Sequence, residues 1–131
     1  MVVALSTAQA AEPETLTLAC EGKSITIFGN QALPPLTKPL SIGIIVNFRT
    51  HTVQGLGAVP LYITVDDTTI GLFNKTDSYN NTQSWETKGS ISRVTGALSA
   101  TETVLSKSAE SVRVYFTTEY FLKCRPAQRM F

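Results

Sequence analysis

Apolar and polar residues alternate along most of this chain with a period of two, and no segment shows the spacing of an amphipathic helix. Near the amino terminus, Leu16, Leu18 and Cys20 alternate with polar or small residues. The last long segment places these residues on one face: Val112, Val114, Phe116, Thr118, Tyr120, Leu122 and Cys124. A period of two that is rich in β-branched and aromatic side chains predicts half-buried strands. Both cysteines fall on the apolar faces of their strands.

Shorter alternating runs between these segments predict further strands, which contain Ile25, Ile42, Leu61, Ile70, Trp85 and Leu98. Turns are expected at residues 21–23, 49–52, 66–68 and 92–96, where Gly96 can supply the positive φ of a bulged hairpin. Residues 31–39 contain three prolines and residues 74–84 are polar, so both segments are expected to be loops.

Short strands, close spacing and hairpin turns favour an all-β fold, an antiparallel barrel of about eight strands. A β-sandwich is the alternative. The shared inward parity of Cys20 and Cys124 predicts a disulfide that ties the two ends of the fold together. It would close a loop of roughly 100 residues and contribute about 4–5 kcal/mol of stability in the chain-entropy model. The 131 residues are enough for one domain, expected over residues 11–131.

The amino terminus suggests export. It is apolar and then small, and it reaches Ala8-Gln9-Ala10, a pattern that a signal peptidase accepts, so we expect residues 1–10 to be a signal-peptide remnant. No Lys or Arg precedes the apolar stretch. Either the start of translation lies upstream of Met1 or the segment is an uncleaved tail. With the paired cysteines, the first alternative places the protein in the periplasm or outside the cell.

The composition limits the kinds of partner that the protein is expected to bind. Apolar residues make up 43% of the chain and charged residues 16%, which is typical of a globular protein, and the formal net charge of +1 gives no reason to expect nucleic acid binding. No apolar run is long enough for a spanning helix. Although Phe131 ends the chain, Pro126 and Arg129 interrupt the alternation that would close an outer-membrane strand. We therefore expect no membrane insertion.

The sequence gives little indication of a catalytic or metal-binding site. His51 is the only histidine and lies in a predicted turn, and the paired cysteines leave no tetrahedral zinc set. The pair Asp66-Asp67 is expected to form a turn rather than a Ca²⁺ site. The acidic residues expected on outward positions, without a catalytic pair, are Glu86, Glu102, Glu110 and Glu119. No metal, cofactor or catalytic residue is predicted, and the protein is not expected to be an enzyme.

The aromatic residues divide into two groups. The ones expected to fill the core are Tyr62, Phe73, Tyr79 and Trp85, as is usual in a small barrel. By contrast, the parity of the last strand places Tyr115 and Phe121 on its outer face. Two exposed aromatic rings on one strand predict an apolar patch for a protein partner or weak self-association.

Four stretches also carry a resemblance: residues 16–22, 41–48 with 52–55, 89–96 and 122–131. Together they resemble a family of short, uncharacterised exported proteins of soil and plant-associated proteobacteria. This resemblance implies export into a Gram-negative envelope and implies no activity. A weaker likeness is to periplasmic lysozyme inhibitors, which are small barrels with a Cys-x-x-Gly motif. Here Cys20-Glu21-Gly22 is one residue shorter and the inhibitory Ser-Gly-x-x-Tyr loop is missing, so only the architecture is implied.

Three functions follow as hypotheses. The favoured one is an exported binding or interaction module of the cell envelope, such as an inhibitor of an extracellular hydrolase. The second is a small-ligand carrier that uses the barrel interior, which requires inward side chains that leave space. The third is an enzyme with a carboxylate-based site, which requires a clustered carboxylate pair.

Overall fold

The computed structural model describes residues 14–29, 33–57, 60–77, 82–108 and 111–127. The described residues form eight strands and no helix. The strands are β1 (Thr15–Phe28), β2 (Leu36–Asn47), β3 (Thr52–Gln54), β4 (Leu61–Val65), β5 (Thr69–Asp77), β6 (Gln83–Ser92), β7 (Ala97–Lys107) and β8 (Val112–Pro126). The predicted signal remnant, residues 1–10, and Tyr79 lie outside the described residues.

Each strand pairs antiparallel with the next, and β8 pairs with β1, so the sheet closes into a barrel. The predicted barrel is therefore confirmed and the sandwich alternative is excluded. The seam carries the predicted disulfide, because Cys20 and Cys124 are directly opposite each other in the β1–β8 register and their sulfur atoms are bonded. Both cysteines are buried. A structural disulfide indicates an oxidising compartment outside the cytoplasm.

The barrel has two different ends. The end that we call the turn end contains the start of β1, the end of β8 and the short connections at residues 48–51, 66–68 and 93–96. The opposite end, the loop end, contains the connections at residues 29–35, 55–60, 78–82 and 108–111. The predicted turns at 49–52, 66–68 and 92–96 are thus confirmed as strand connections, and all three lie at the turn end.

Two predicted boundaries are wrong on the first hairpin. Residues 21–23 were expected to form a turn, but β1 continues through them and pairs with both β2 and β8. The predicted loop at 31–39 also ends early, because β2 starts at Leu36 and Pro39 pairs with Lys23. Only residues Ile45–Asn47 of β2 pair with β3. Pro39 therefore lies where β2 is an edge, the position in a sheet that tolerates a residue without an N–H group.

The core fills the middle of the barrel and its turn-end half with aliphatic side chains. Its fully buried large members are Ile44, Val46, Val53, Leu56, Leu61 and Leu98. Leu56 does not belong to a strand but comes from the β3–β4 connection, so this loop packs into the interior. A core made of the barrel's own inward side chains is usual in small barrels.

A β-bulge overturns part of the predicted pattern on β8. Phe116 pairs with Val104 and Val114 pairs with Leu105, so Tyr115 is an extra residue opposite that step. A bulge breaks strict alternation because two residues of one strand face one residue of its partner. Val112 and Val114, which alternation placed in the core, are accordingly 60% and 47% exposed.

Candidate functional site

A concave space of about 590 Å³ opens at the turn end of the barrel. Its apolar wall combines Leu16, Leu18, Ile70 and Ile91 from the inner faces of three strands with Phe48 from the β2–β3 connection. The volume lies within the range of small-molecule sites. Ile44 and Val46, which pair with Leu18 and Leu16, and Val53, which pairs with Val46, are fully buried. We call this concave space the turn-end mouth.

The rim of the turn-end mouth is cationic. Among the described residues, the charged ones that line it are Arg93, Lys123 and Arg125, and none of its described lining residues is a carboxylate. Arg93 is oriented by a hydrogen bond that its Nη1 donates to the backbone oxygen of Asp66, at 2.7 Å. Lys123 and Arg125 are exposed on β8 on either side of Cys124. A concave apolar surface bordered by charges of one sign favours a ligand that has an apolar body and an opposite charge.

Local hydrogen bonds hold the β6–β7 turn at this rim. Ser92 Oγ accepts bonds from the amides of Val94 and Thr95, at 3.3 and 3.1 Å. Gly96 has a φ of +80° and its carbonyl accepts the amide hydrogen of Cys124, at 2.8 Å. A Cβ at Gly96 would collide with the backbone oxygen of Cys124, so only glycine fits this turn. The turn is thereby fixed to the strand that carries the disulfide, and it presents Val94 to solvent, 77% exposed.

A neighbouring carboxylate belongs to the turn at residues 66–68 and does not line the mouth. Asp66 Oδ1 accepts hydrogen bonds from the backbone amides of Thr68 and Thr69, at 2.9 and 2.8 Å. These amides, with the hydroxyl of Thr68 and the charge of Arg93, lower the pKa of Asp66. The expectation that Asp66 forms a turn is confirmed.

Polar side chains form one row across the inner face of the barrel, towards the loop end. Thr87, Glu102 and Thr118 are directly opposite one another on β6, β7 and β8, and Thr26 on β1 continues the row. The hydroxyls of Thr26 and Thr118 are 3.1 Å apart. Glu102 is only 8% exposed, so the expectation that it faces outward is wrong. We call these four residues the polar row.

Tyr120 connects the polar row to the apolar core. Its hydroxyl donates a hydrogen bond to Glu102 Oε1, at 3.4 Å. Burial, together with the nearby negative charge and hydrogen bond of Glu102, raises the pKa of Tyr120 from 10.0 to about 12. The other carboxylate oxygen, Oε2, lies close to Gly57 of the β3–β4 connection, because a Cβ built on Gly57 would be 2.8 Å from it.

An aromatic row lies next to the polar row, one step closer to the loop end. Its members pair in register across β6, β7, β8 and β1 and are, in that order, Trp85, Val104, Phe116 and Phe28. Each lies two residues from a member of the polar row, so alternation places it on the same inner face. The three aromatic rings of this row are half-buried and Val104 is buried. Beyond it, a concave space of about 790 Å³ at the loop end includes Phe28, Arg113 and Tyr115.

The two residues of the predicted interaction patch, Tyr115 and Phe121, are both exposed, at 57% and 42%. They are not neighbours, because six residues of strand span about 20 Å. Phe121 is opposite Lys23 and Ser99, whereas the Tyr115 ring contacts that of Phe116, with centroids 5.4 Å apart. Their role in binding a partner stays a prediction.

Sequence reasoning misplaced a second pair of rings. Tyr62 and Phe73 were expected in the core, but they are exposed and directly opposite each other on β4 and β5. Leu61, Ile63 and Leu72 occupy the inner positions of these strands. Alternation around Leu61 and Ile63 was the signal that could have placed Tyr62 outside.

Comparisons with protein-family models, with curated proteins and with solved structures gave no match. The resemblance to exported proteobacterial proteins therefore stays a prediction. Within the described ranges, no three His, Cys, Asp or Glu side chains are grouped so that they would hold a metal ion. The described part of the chain also contains no helix with the length and apolar content needed to cross a bilayer.

Proposed function

We propose that the protein is an exported ligand-binding module whose turn-end mouth takes a small amphipathic anion, such as a medium-chain carboxylate. One observation carries this proposal: the mouth has an apolar wall, and the three charged residues that line it in the described ranges are all cationic. The disulfide supports a location outside the cytoplasm. Ala8-Gln9-Ala10 supports the narrower proposal of a periplasmic or secreted protein.

The lining of the mouth defines how the ligand would bind. The alkyl chain would lie against Leu16, Ile70 and Ile91. The anionic group would remain at the rim, within reach of flexible Lys and Arg side chains. Burial of the ligand's alkyl chain would supply most of the binding affinity, and the cationic rim would select an anion over a cation.

Isothermal titration calorimetry of the oxidised full chain with decanoate tests this proposal. We expect saturable binding with a Kd below about 1 mM, because burying several methylene groups contributes about 0.8 kcal/mol each. Acetate, which lacks the chain, and decyltrimethylammonium, which has the opposite charge, should bind at least tenfold more weakly. Equal binding of the two ten-carbon ions would overturn the proposal.

A matched pair of double variants distinguishes an effect of the rim cations from an effect of the protein's net charge. Lys123→Gln with Arg125→Gln removes two cations of the rim, and we expect decanoate binding to weaken about tenfold, since exposed ion pairs contribute up to about 1 kcal/mol each. Lys75→Gln with Lys88→Gln removes the same charge from β5 and β6, away from the mouth. An equal loss in both double variants would show that net charge, and not the rim, attracts the ligand.

A further inference from the structure

Glu102 is a buried carboxylate without a cationic partner in the described part of the chain. The ion pairs between described residues are Arg49–Glu14, Lys88–Glu86 and Lys107–Asp77. Its one hydrogen bond in the structure comes from the Tyr120 hydroxyl, at 3.4 Å. A charge that is more than nine-tenths buried is normally paired, because burial removes its hydration. The exception at Glu102 therefore indicates a cationic group that the described part of the chain does not supply.

We propose that Glu102 and the polar row bind a small organic cation, a protonated primary amine with an aromatic or aliphatic body. The site is separate from the turn-end mouth and opens towards the loop end of the barrel. The proposal does not depend on the function proposed above, because the two sites differ in place and in the sign of their ligand.

The polar row suits an ammonium group. Thr87 and Thr118 lie directly opposite Glu102 on either side, so two hydroxyl oxygens flank the carboxylate. An ammonium has three donors, and a carboxylate and two hydroxyls are three acceptors. Tyr120 uses Oε1 and leaves Oε2 for the ligand. A divalent metal ion suits the row less well, because it prefers several oxygen ligands with more than one carboxylate.

The aromatic row suits the rest of the ligand. Trp85, Phe116 and Phe28 lie one step beyond the polar row on the same inner face and are half-buried. Rings beside a carboxylate stabilise an organic cation through their π faces and contact its apolar body. A cation held at Glu102 would extend from the polar row into the aromatic row.

Backbone of the β3–β4 connection lies close to the carboxylate. Gly57 has a φ of +78°, and a Cβ built on it would be 2.8 Å from Glu102 Oε2. Gly57 is itself exposed, whereas the preceding Leu56 is buried in the core. Exposed backbone at Gly57 therefore lies close to the carboxylate. A displacement of Gly57 that leaves Leu56 in place would widen the space around Oε2.

Calorimetry of the oxidised full chain with phenethylammonium tests the proposal, with 2-phenylethanol as its uncharged counterpart. We expect saturable binding of the amine, at least tenfold tighter than that of the alcohol. Trp85 is the only tryptophan and lies in the aromatic row, so its fluorescence should change with the same Kd. No saturable binding of the amine, or equal binding of the alcohol, would overturn the proposal.

Two variants and one control test whether the organic cation binds at Glu102 and the polar row. Glu102→Gln should weaken amine binding at least tenfold and leave the melting temperature unchanged or higher, because it removes an unpaired buried charge. Glu119→Gln, an outward carboxylate opposite Thr101, should leave binding unchanged. Thr87→Val, which keeps shape and removes a hydroxyl, should weaken binding severalfold. A Glu102→Gln chain that fails to fold, or that binds the amine like the wild type, would overturn the proposal.

Discussion

Cys20 and Cys124 are opposite each other in the β1–β8 register, with their Cα atoms 4.0 Å apart, so the disulfide crosses the seam where the first and last strands meet. Every other strand pair joins neighbours along the chain. The β1–β8 pair is therefore the one contact of the barrel that must overcome the full loop-closure entropy. The disulfide bond keeps the two strands close together in the oxidised chain, so their pairing no longer has to overcome this entropy.

The double variant Cys20→Ala with Cys124→Ala should lower the free energy of unfolding by about 4–5 kcal/mol, because the bond closes a loop of 104 residues. Urea denaturation of the oxidised wild type and of the variant measures the difference. The wild type with reduced and alkylated cysteines is a second reference. A loss below about 1 kcal/mol would mean that β1–β8 pairing is stable without the covalent bond.

The hydrogen bond between Tyr120 and Glu102 predicts an alkaline transition. The pKa of Tyr120 is raised from 10.0 to about 12 in the folded protein. The unfolded chain therefore releases this proton first, so the contribution to stability is complete below pH 10 and is lost as the pH rises towards 12. Near-ultraviolet absorbance titrations of the wild type and of Tyr120→Phe should differ by the deprotonation of one phenol, with a midpoint at a pH of about 12. A midpoint near the ordinary value of 10.0 would show that Tyr120 is in contact with water.

The exposed rings of Tyr115 and Phe121 give a prediction about association. Tyr115→Ser with Phe121→Ser should leave the protein folded, because surface substitutions usually change stability by less than about 0.5 kcal/mol each. If both rings contact a partner or a second copy, the double variant should lose the larger species in sedimentation velocity. The pair Tyr62→Ser with Phe73→Ser changes two exposed rings on another part of the barrel and is the control. Equal behaviour of both double variants and the wild type would contradict a patch on β8.

Alternation along the sequence was enough to predict the barrel, since Leu16, Leu18 and Cys20 on β1 and Leu122 and Cys124 on β8 do lie on its inner side. It failed at Val112 and Val114, which it placed in the core, because the bulge at Tyr115 adds a residue without any change in composition. It also failed at Pro39, whose place on an edge depends on the shortness of β3, and this is a property of tertiary pairing.

The polar row was hidden for another reason. Leu98 and Ala100 set the inward parity of β7, and this parity also directs Glu102 inward. The charge of Glu102 argued for the opposite face, because unpaired acidic residues are rarely buried. Here the alternation was the better guide. The cationic rim, in contrast, joins Arg93 to Lys123 and Arg125, which are 30 or more positions apart in the chain. Such a rim depends on the pairing of β7 with β8, which brings the β6–β7 turn next to the end of β8, and it has no local signal.

Backbone amide NMR during a decanoate titration is the most direct test of the claim that the turn-end mouth binds an amphipathic anion. We predict that shifts concentrate on residues lining the mouth, such as Leu18, Ile91, Val94 and Gly96, and fit one Kd. The amides of Tyr62 and Phe73, on the outer face of β4 and β5, should not move. Shifts that avoid the mouth and follow the outer rings would contradict the claim.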